Sequence, residues 1–314
     1  MSERQFSADH RKVLMSNDLV VQRPLGSGFQ GHVYAVRHPA KSIVAVKISD
    51  STSDIPEAME RNHHEFEILK SGDGSINLLT AYECTHYLDK ETGIQYHWFT
   101  MELCRGNLLE FIDKMSLAER VKIAYALLNT LAYLHRKKTS HRDIKLNNLL
   151  LDQNNRLRLG DFGTAKVITR PADQVGLGVP YVLGTVPYFA SELWRVLDGT
   201  STDAINWFLS DEYAAGVCCY QILCRGRLPP RLEQCAAQGE SSQVQHAMRN
   251  AHLGGIFFPV RVPEYPGRAL TQVDRVLQRM LSINPQNRYG NMTECALAMV
   301  TAFINHELMT LGGC

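Results

Sequence analysis

The sequence predicts an α+β protein of two lobes, a small β-rich one with a single helix and a larger, mostly helical one. Three observations predict it. Residues 19–101 carry short runs of β-branched and alternating apolar residues, broken by glycine and by His38-Pro39. From Gly106 onward the apolar residues recur at helical spacing instead. The 314 residues, 45% hydrophobic and 21% charged, are enough for two packed lobes and too apolar for a disordered chain.

Taken in order, LVVQRPLG, HVYAVR and SIVAVKIS read as consecutive antiparallel strands. PEAMERNHHEFEILKSG reads as a helix, with Pro56 in its first turn, Met59, Phe66 and Leu69 on one face, and Ser71-Gly72 at its end. Further strands lead through YHWFTMEL to a junction at 102–106. SLAERVKIAYALLNTLAYLHRKK then opens on Ser116 with Glu119 three places on, a capping-box pattern. Val121, Ala124, Leu128, Leu131 and Leu134 follow at helical spacing, and Arg136, Lys137 and Lys138 suit the C-terminal end. NLLL, a polar DQNN turn and RLRLG read as a short hairpin. Further helices are expected at 210–224, 271–282 and 293–306. Residues 1–17 read as an N-terminal extension and 307–314 as a short tail.

Thirty-three basic residues nearly balance 32 acidic ones, so no global field marks a nucleic-acid or membrane-surface binder. The eight cysteines are scattered, with no Cys-x-x-Cys and no Cys/His ligand spacing, which fits a reduced intracellular compartment. The first residues lack a signal-peptide core, and no run approaches the roughly 18–20 apolar residues of a membrane span. Ser2 and the terminal Cys314 do not match lipidation signals. The expectation is a soluble monomer with no nucleic-acid or membrane partner. Cytoplasm and nucleus both stay open, in a host cell should the chain be a viral or bacterial effector.

The chemistry-bearing residues begin in LGSGFQGHVY, where Gly26, Gly28 and Gly31 lie between two strands. Glycine lets backbone N–H groups approach phosphate oxygens, although such a turn alone is equally a plain hairpin. A strand follows it, which sets it apart from a dinucleotide-binding turn. Lys47 ends VAVK, and Glu65 in the following helix is a candidate partner, with Glu60 and Glu67 as competing carboxylates. His141-Arg142-Asp143, Asn148 and Asp161-Phe162-Gly163 then supply metal-binding and proton-handling groups around the hairpin. Phosphoryl transfer needs such a set, because cations neutralise phosphate charge while a carboxylate orients the attacking hydroxyl.

On these motifs residues 18–306 resemble the eukaryotic-type protein kinase family, in its serine/threonine branch. The resemblance implies a bilobal protein kinase-like fold, with the small lobe at 18–101, a hinge at 102–106 and the large lobe at 107–306. It implies ATP and Mg²⁺ as cofactors and proteins as substrates. Leu25, Gly26, Gly28 and Gly31 would cover the nucleotide, Val33, Ala45 and Leu150 would sandwich adenine, and Met101 would be the gatekeeper. The backbone of Glu102 and Cys104 would bond the adenine edge. Lys47, paired with Glu65, would hold the α- and β-phosphates. Asp143 would be the catalytic base, Lys145 would steady the γ-phosphate, and Asn148 and Asp161 would bind Mg²⁺. Leu69, His141 and Phe162 match a hydrophobic column of the active state.

Lys145, two places after Asp143, is the serine/threonine pattern within the resemblance, and Thr185 before Pro187-Tyr188 agrees with it. Thr164, β-branched directly after Gly163, implies threonine as the favoured acceptor. Ala190-Ser191-Glu192 departs from the family's Ala-Pro-Glu, with Arg288 expected as the buried partner of Glu192. Asp211 would begin the core helix of the large lobe. Arg142 implies control by a phosphate on the activation segment, yet residues 174–183 hold no serine or threonine, leaving Tyr181 and Thr169 as candidates. A longer spacing between Glu192 and Asp211 could serve a regulatory protein partner, and Arg225, Arg227 and Arg231 could read acidic substrates. A plain surface loop and a solvated basic patch are the competing readings. A pseudokinase-type scaffold and a small-molecule kinase are the alternative functions.

Overall fold

A computed structural model of the chain describes residues 8–28, 31–52, 57–72, 77–168, 185–201, 204–237, 241–257, 259–261 and 270–311. The chain groups into two compact units, Met1–Gly106 with Leu150–Gly163, and Asn107–Leu149 with Thr164–Cys314.

The first unit holds helix α1 (Ala8–Met15), strands β1 (Val20–Gly28), β2 (Gly31–His38) and β3 (Ser42–Asp50), helix α2 (Ala58–Lys70), and strands β4 (Ala81–Leu88) and β5 (Gln95–Met101). The strands form one sheet in the order β1-β2-β3-β5-β4, antiparallel throughout. Successive side chains of a strand point to opposite faces, and β3 divides its residues accordingly. Val44, Val46 and Ile48 join Tyr34, Val36, Trp98, Val13 and Leu14 in an apolar cluster on one face. Ala45, Lys47 and Ser49 take the opposite face, which packs against α2. There Phe66 lies 5.9 Å from Phe99, and Asn62 Nδ2 donates to Ser49 Oγ (3.1 Å) and the His97 carbonyl (3.0 Å). Pro56 lies outside the described residues. The end at Ser71-Gly72 is as expected, with Ser71 N–H bonded to Glu67 O and Gly72 N–H to Leu69 O.

Two segments belong elsewhere than the sequence places them. Residues 1–17 read as an extension, yet α1 buries Val13 and Leu14 in the sheet's apolar cluster, and its His10 Nε2 lies 2.7 Å from Asp50. Eight residues are too few for a helix to persist alone, so this burial holds it. The stretch 150–163, which the sequence assigns to the larger lobe, groups with the first unit. Arg105 N–H bonds Leu151 O (2.8 Å), Leu159 N–H bonds Asn77 O (2.7 Å), and Leu79 N–H bonds Leu159 O (3.0 Å). The expected hairpin is present as strands Leu149–Leu151 and Leu157–Leu159, its turn closed by Asp152 Oδ1 accepting from the N–H groups of Asn154 and Arg156 at 2.8 Å.

The second unit contains helices α3 (Leu117–Arg136), α4 (Ser191–Leu197), α5 (Trp207–Leu223), α6 (Pro230–Ala236), α7 (Ser241–Leu253), α8 (Thr271–Met280) and α9 (Met292–Leu311). The capping box forms as read: Glu119 N–H donates to Ser116 Oγ, and Ser116 N–H to Glu119 Oε2. α5 is buried on all sides save Phe208, so it is the element around which the unit is built. A side chain at Gly216 would meet Met280 and Leu281 at 3.0 Å, so glycine there permits the close approach of α8. The fully buried Arg120 of α3 donates to the Leu223 carbonyl at the end of α5. The helices α4, α6 and α7 are not among those expected from the sequence. No helix among the described residues is long and apolar enough to cross a membrane.

Two of the three arginines are tied to backbone carbonyls, and the third makes an exposed ion pair. Arg225 donates to the Asp113 carbonyl, Arg231 to the Gly254 and Gly255 carbonyls after α7, and Arg227 lies 3.5 Å from Glu233. Within the long spacing before Asp211, Asp198 accepts from Thr200 N–H (3.0 Å) and from Arg249 Nε of α7 (2.9 Å). That part of the spacing is folded back onto a helix.

Candidate active site

The candidate residues fall into two sets, one in each unit. In the first, Lys47 Nζ lies 2.5 Å from Glu65 Oε2 and 2.9 Å from Asp161 Oδ1. Glu65, not Glu60 or Glu67, is the partner, because it lies on the buried side of α2 above Lys47. Burial of Lys47 opposes its charge, yet the carboxylates of Asp161 and Glu65 outweigh it and hold the ammonium above its ordinary pKa. Phe162 N–H donates to the Glu65 carboxylate, which links α2 to the Asp161-Phe162 turn. Asp161 itself has φ 62°, a left-handed conformation rare outside glycine and concentrated at functional sites. Its side chain is 38% exposed, so the pair with Lys47 does not enclose it.

Register explains how the expected nucleotide residues come together. Val33 pairs with Lys47, Ala45 with Met101 and Gly26 with Val33, which sets Val33, Ala45, Met101 and Lys47 on one face of the sheet. Met101 is buried; Leu25, Val33 and Leu150 are half-buried. At 102–104 the Glu102 N–H is already donated to the Thr80 carbonyl (2.9 Å), so its carbonyl is the group left for a ligand. Glu102 is braced by Thr80 N–H (2.7 Å) and by Arg158 (3.0 Å). Burial, and next the Glu102 charge, push the Cys104 thiol up to about 12.

β1 and β2 are joined tightly, with Gly28 paired to Gly31; residues 29–30 lie outside the described ones. Gly31 has φ 139°, and a side chain there would collide with the Ile48 carbonyl of β3. Gly31→Ala is expected to destabilise the protein by about 1–3 kcal/mol, the cost of a non-glycine residue in such a region. Urea denaturation monitored by fluorescence checks it, and an unchanged midpoint would show that the turn rearranges freely.

In the second unit Asp143 carries a closed set of contacts. Its Oδ2 lies 2.6 Å from Lys145 Nζ, and its Oδ1 accepts from Thr185 Oγ1 at 2.9 Å. Lys145 Nζ also donates to Thr185 Oγ1 at 3.0 Å, completing the triangle. Asn148 Nδ2 donates to the Asp143 carbonyl at 2.8 Å. This loop is shaped by the buried Asp211 of α5. Its Oδ2 accepts from His141 N–H and Ser140 Oγ (each 2.8 Å), and its Oδ1 from Arg142 N–H (2.8 Å). His135 Nε2 is 3.2 Å away. Burial works against the Asp211 charge, but His135 and these donors prevail and lower its pKa. Arg142, at φ 69°, sets its guanidinium 4.2 Å over the Trp207 ring.

Glu192 and Arg288 form the expected pair as a two-pronged contact of 2.6 and 2.8 Å. Ser191, where proline was expected, buries its hydroxyl and donates it to the Ile283 carbonyl. Thr164 Oγ1 donates to the His141 carbonyl at 3.1 Å. Leu69, His141 and Phe162 are each buried. Thr169 and Tyr181 lie outside the described residues. Sequence reasoning missed Ser140, His135, Trp207 and Arg158. His135 and Trp207 read as ordinary helix residues, and Arg158 as one polar position of an alternating strand.

Residues 19–306 match the family model described as "Protein kinase domain". The chain is 28% identical over 222 residues to the RAF proto-oncogene serine/threonine-protein kinase of Xenopus laevis, covering 69% of this chain and 32% of that protein. It is 29% identical over 294 residues to the serine/threonine-protein kinase Pkn1 of Myxococcus xanthus, covering 90% of this chain and 38% of that one. A third relative, serine/threonine-protein kinase 1 of Arabidopsis thaliana, is 36% identical over 159 residues, 46% of this chain and 17% of its own. The chain thus spans well under half the length of these curated relatives.

Proposed function

The chain belongs to the protein kinase family, and from that premise we propose that it transfers the γ-phosphate of ATP to hydroxyls of protein substrates, serine and threonine, with threonine favoured. The observation that carries this reading is the triangle of Asp143, Lys145 and Thr185. A carboxylate whose two oxygens meet an ammonium and a hydroxyl is oriented to accept a proton from an incoming alcohol. The Lys145 ammonium beside it offsets the negative charge of the phosphoryl group being moved. Lys47, held charged by two carboxylates, supplies a fixed cation for the remaining phosphates. Relatives named as serine/threonine kinases support the acceptor class, and the β-branched Thr164 supports the threonine preference.

Asp161 and Asn148 are the residues that would hold magnesium, and their chemistry fits it. Carboxylate and amide oxygens are the hard donors this ion takes. Asn148 commits its amide nitrogen to Asp143, which leaves the oxygen for a cation. When bound, the ion supplies neutralisation of phosphate charge. The Asp143 carboxylate takes the proton, and the Lys145 ammonium beside it supplies positive charge.

The test is transfer of labelled γ-phosphate from MgATP to a mixed protein substrate, read by phospho-amino-acid analysis and by peptide arrays with serine or threonine at the acceptor. Phosphothreonine above phosphoserine is expected. A clear serine preference would remove the threonine reading, and labelling of small alcohols alone would remove the protein-substrate reading.

A further inference from the structure

On the α2 face of the first unit, away from Lys47, three histidines converge from three elements. His63 lies on α2, His86 on β4 and His97 on β5. His86 and His97 are direct cross-strand partners, so their side chains share one face of the sheet, with ring centroids 4.5 Å apart. The His63 ring sits 5.3 Å from each of them. Each residue can offer a nitrogen within 4.8 Å of the nitrogens of the other two.

Three ring nitrogens of this cluster have no hydrogen-bond partner among the described residues. His97 is fully buried, and neither its Nδ1 nor its Nε2 has a hydrogen-bond partner; the buried Nδ1 of His63 has none either. An unsatisfied buried polar group is costly, and native proteins keep few of them without a ligand, water or functional reason. Neutral imidazole is the form that binds a metal.

We propose that His63, His86 and His97 form a site for one divalent transition-metal ion of the zinc class, bound through three imidazole nitrogens. A tetrahedral zinc with Zn–N near 2.0–2.1 Å brings its nitrogens to about 3.3 Å of one another, so the site must tighten from its present spacing. His86 is the exposed member and the one free to rotate inward. The fourth ligand is then water on the solvent side of His86, the open arrangement of three protein ligands. An all-imidazole donor set suits zinc, copper and nickel and does not suit magnesium or calcium. The ion would bridge α2 to β4 and β5. His63 precedes Glu65 by two residues on α2, so the same ion would fasten the helix that carries the partner of Lys47. The site stands on its own geometry and is independent of the kinase reading.

The experiment uses the full chain, freed of metal with a chelator and titrated with ZnCl₂ by calorimetry, with CoCl₂ as an absorbing substitute. One Zn²⁺ per chain is expected, with intense visible bands of low-coordinate Co²⁺ and a higher melting temperature in the presence of zinc. His86→Ala removes an exposed ligand, so it is expected to fold normally while weakening zinc binding by at least about 100-fold, the upper end of what losing a mere supporting partner costs. His246→Ala, an exposed histidine of α7, serves as the control and should change nothing. Should His63→Ala fail to fold, His86→Gln gives a second reading at the exposed position. Absence of stoichiometric zinc binding would overturn the proposal. So would tight binding retained in the His86 variants, which would put the ion on the scattered cysteines instead.

Discussion

Asp143→Asn is expected to lower phosphate transfer by about 10²–10⁴-fold, the contribution of a positioned general base, with nucleotide affinity unchanged. Asparagine cannot take the proton of an alcohol. It would also present an amide N–H₂ either to Lys145 Nζ or to the Thr185 hydroxyl, both of which now donate to the carboxylate. The triangle would therefore loosen as well as lose its base. Steady-state kinetics with saturating MgATP, beside a nucleotide-binding titration, separates the two effects. Equal rates for the variant and the parent protein would show that the hydroxyl is deprotonated elsewhere. No transfer by either, with nucleotide bound, would favour the scaffold reading.

Arg288→Ala is expected to destabilise the protein by about 3–5 kcal/mol, the range for removing one partner of a buried ion pair. Arg288 is 3% exposed, and its guanidinium serves several groups at once. It makes the two-pronged contact with Glu192, donates to the Leu209 and Ser282 carbonyls, and stands 4.8 Å over the Tyr213 ring. Its loss takes the cationic partner from the Glu192 carboxylate and a donor from each of the two carbonyls. Glu192→Gln, which retains one acceptor, should cost less, and the double variant should cost less than the sum of the singles. Chemical denaturation of the four proteins measures this. A loss below about 1 kcal/mol for Arg288→Ala would mean that the pair is no better than an exposed one. Ser191 fits the same picture, since its hydroxyl bonds the Ile283 carbonyl, a link that the expected proline could not make.

Features written into local spacing were legible. The alternation in SIVAVKIS places Lys47 opposite the apolar cluster, and Ser116 with Glu119 marks a helix start that the capping hydrogen bonds reproduce. The His-Arg-Asp and Asp-Phe-Gly stretches are equally local. What could not be read was partnership between distant elements. α1 has too few apolar residues to announce itself and is ordered by the sheet it covers. Residues 150–163 look like any hairpin, and their bonds to Asn77, Leu79 and Arg105, with Lys47–Asp161 and Glu102–Arg158, tie them to the first unit. Arg225 and Arg231 read as a substrate-reading or solvated patch because a sequence does not show which carbonyls lie in reach. The three histidines are the clearest case. They follow no ligand spacing, and antiparallel pairing of β4 with β5 is what sets two of them side by side.

The anchoring of the His141-Arg142-Asp143 loop to Asp211 has a further meaning. Asp211 is not a surface brace but a residue of α5, a helix buried at every position save Phe208. Local opening of a protein proceeds in cooperative pieces, and a fully enclosed helix belongs to the last of them to open. The amides of His141 and Arg142 therefore share the lifetime of the core, although they sit in a loop. Solvent isotope would enter them only when the whole unit unfolds, long after it has entered the exposed turns of α6 and α7. A damaging substitution in the core would then shorten the protection of these two amides together with the stability of the unit, so fidelity at this loop and resistance to unfolding are one property here, measured on two clocks.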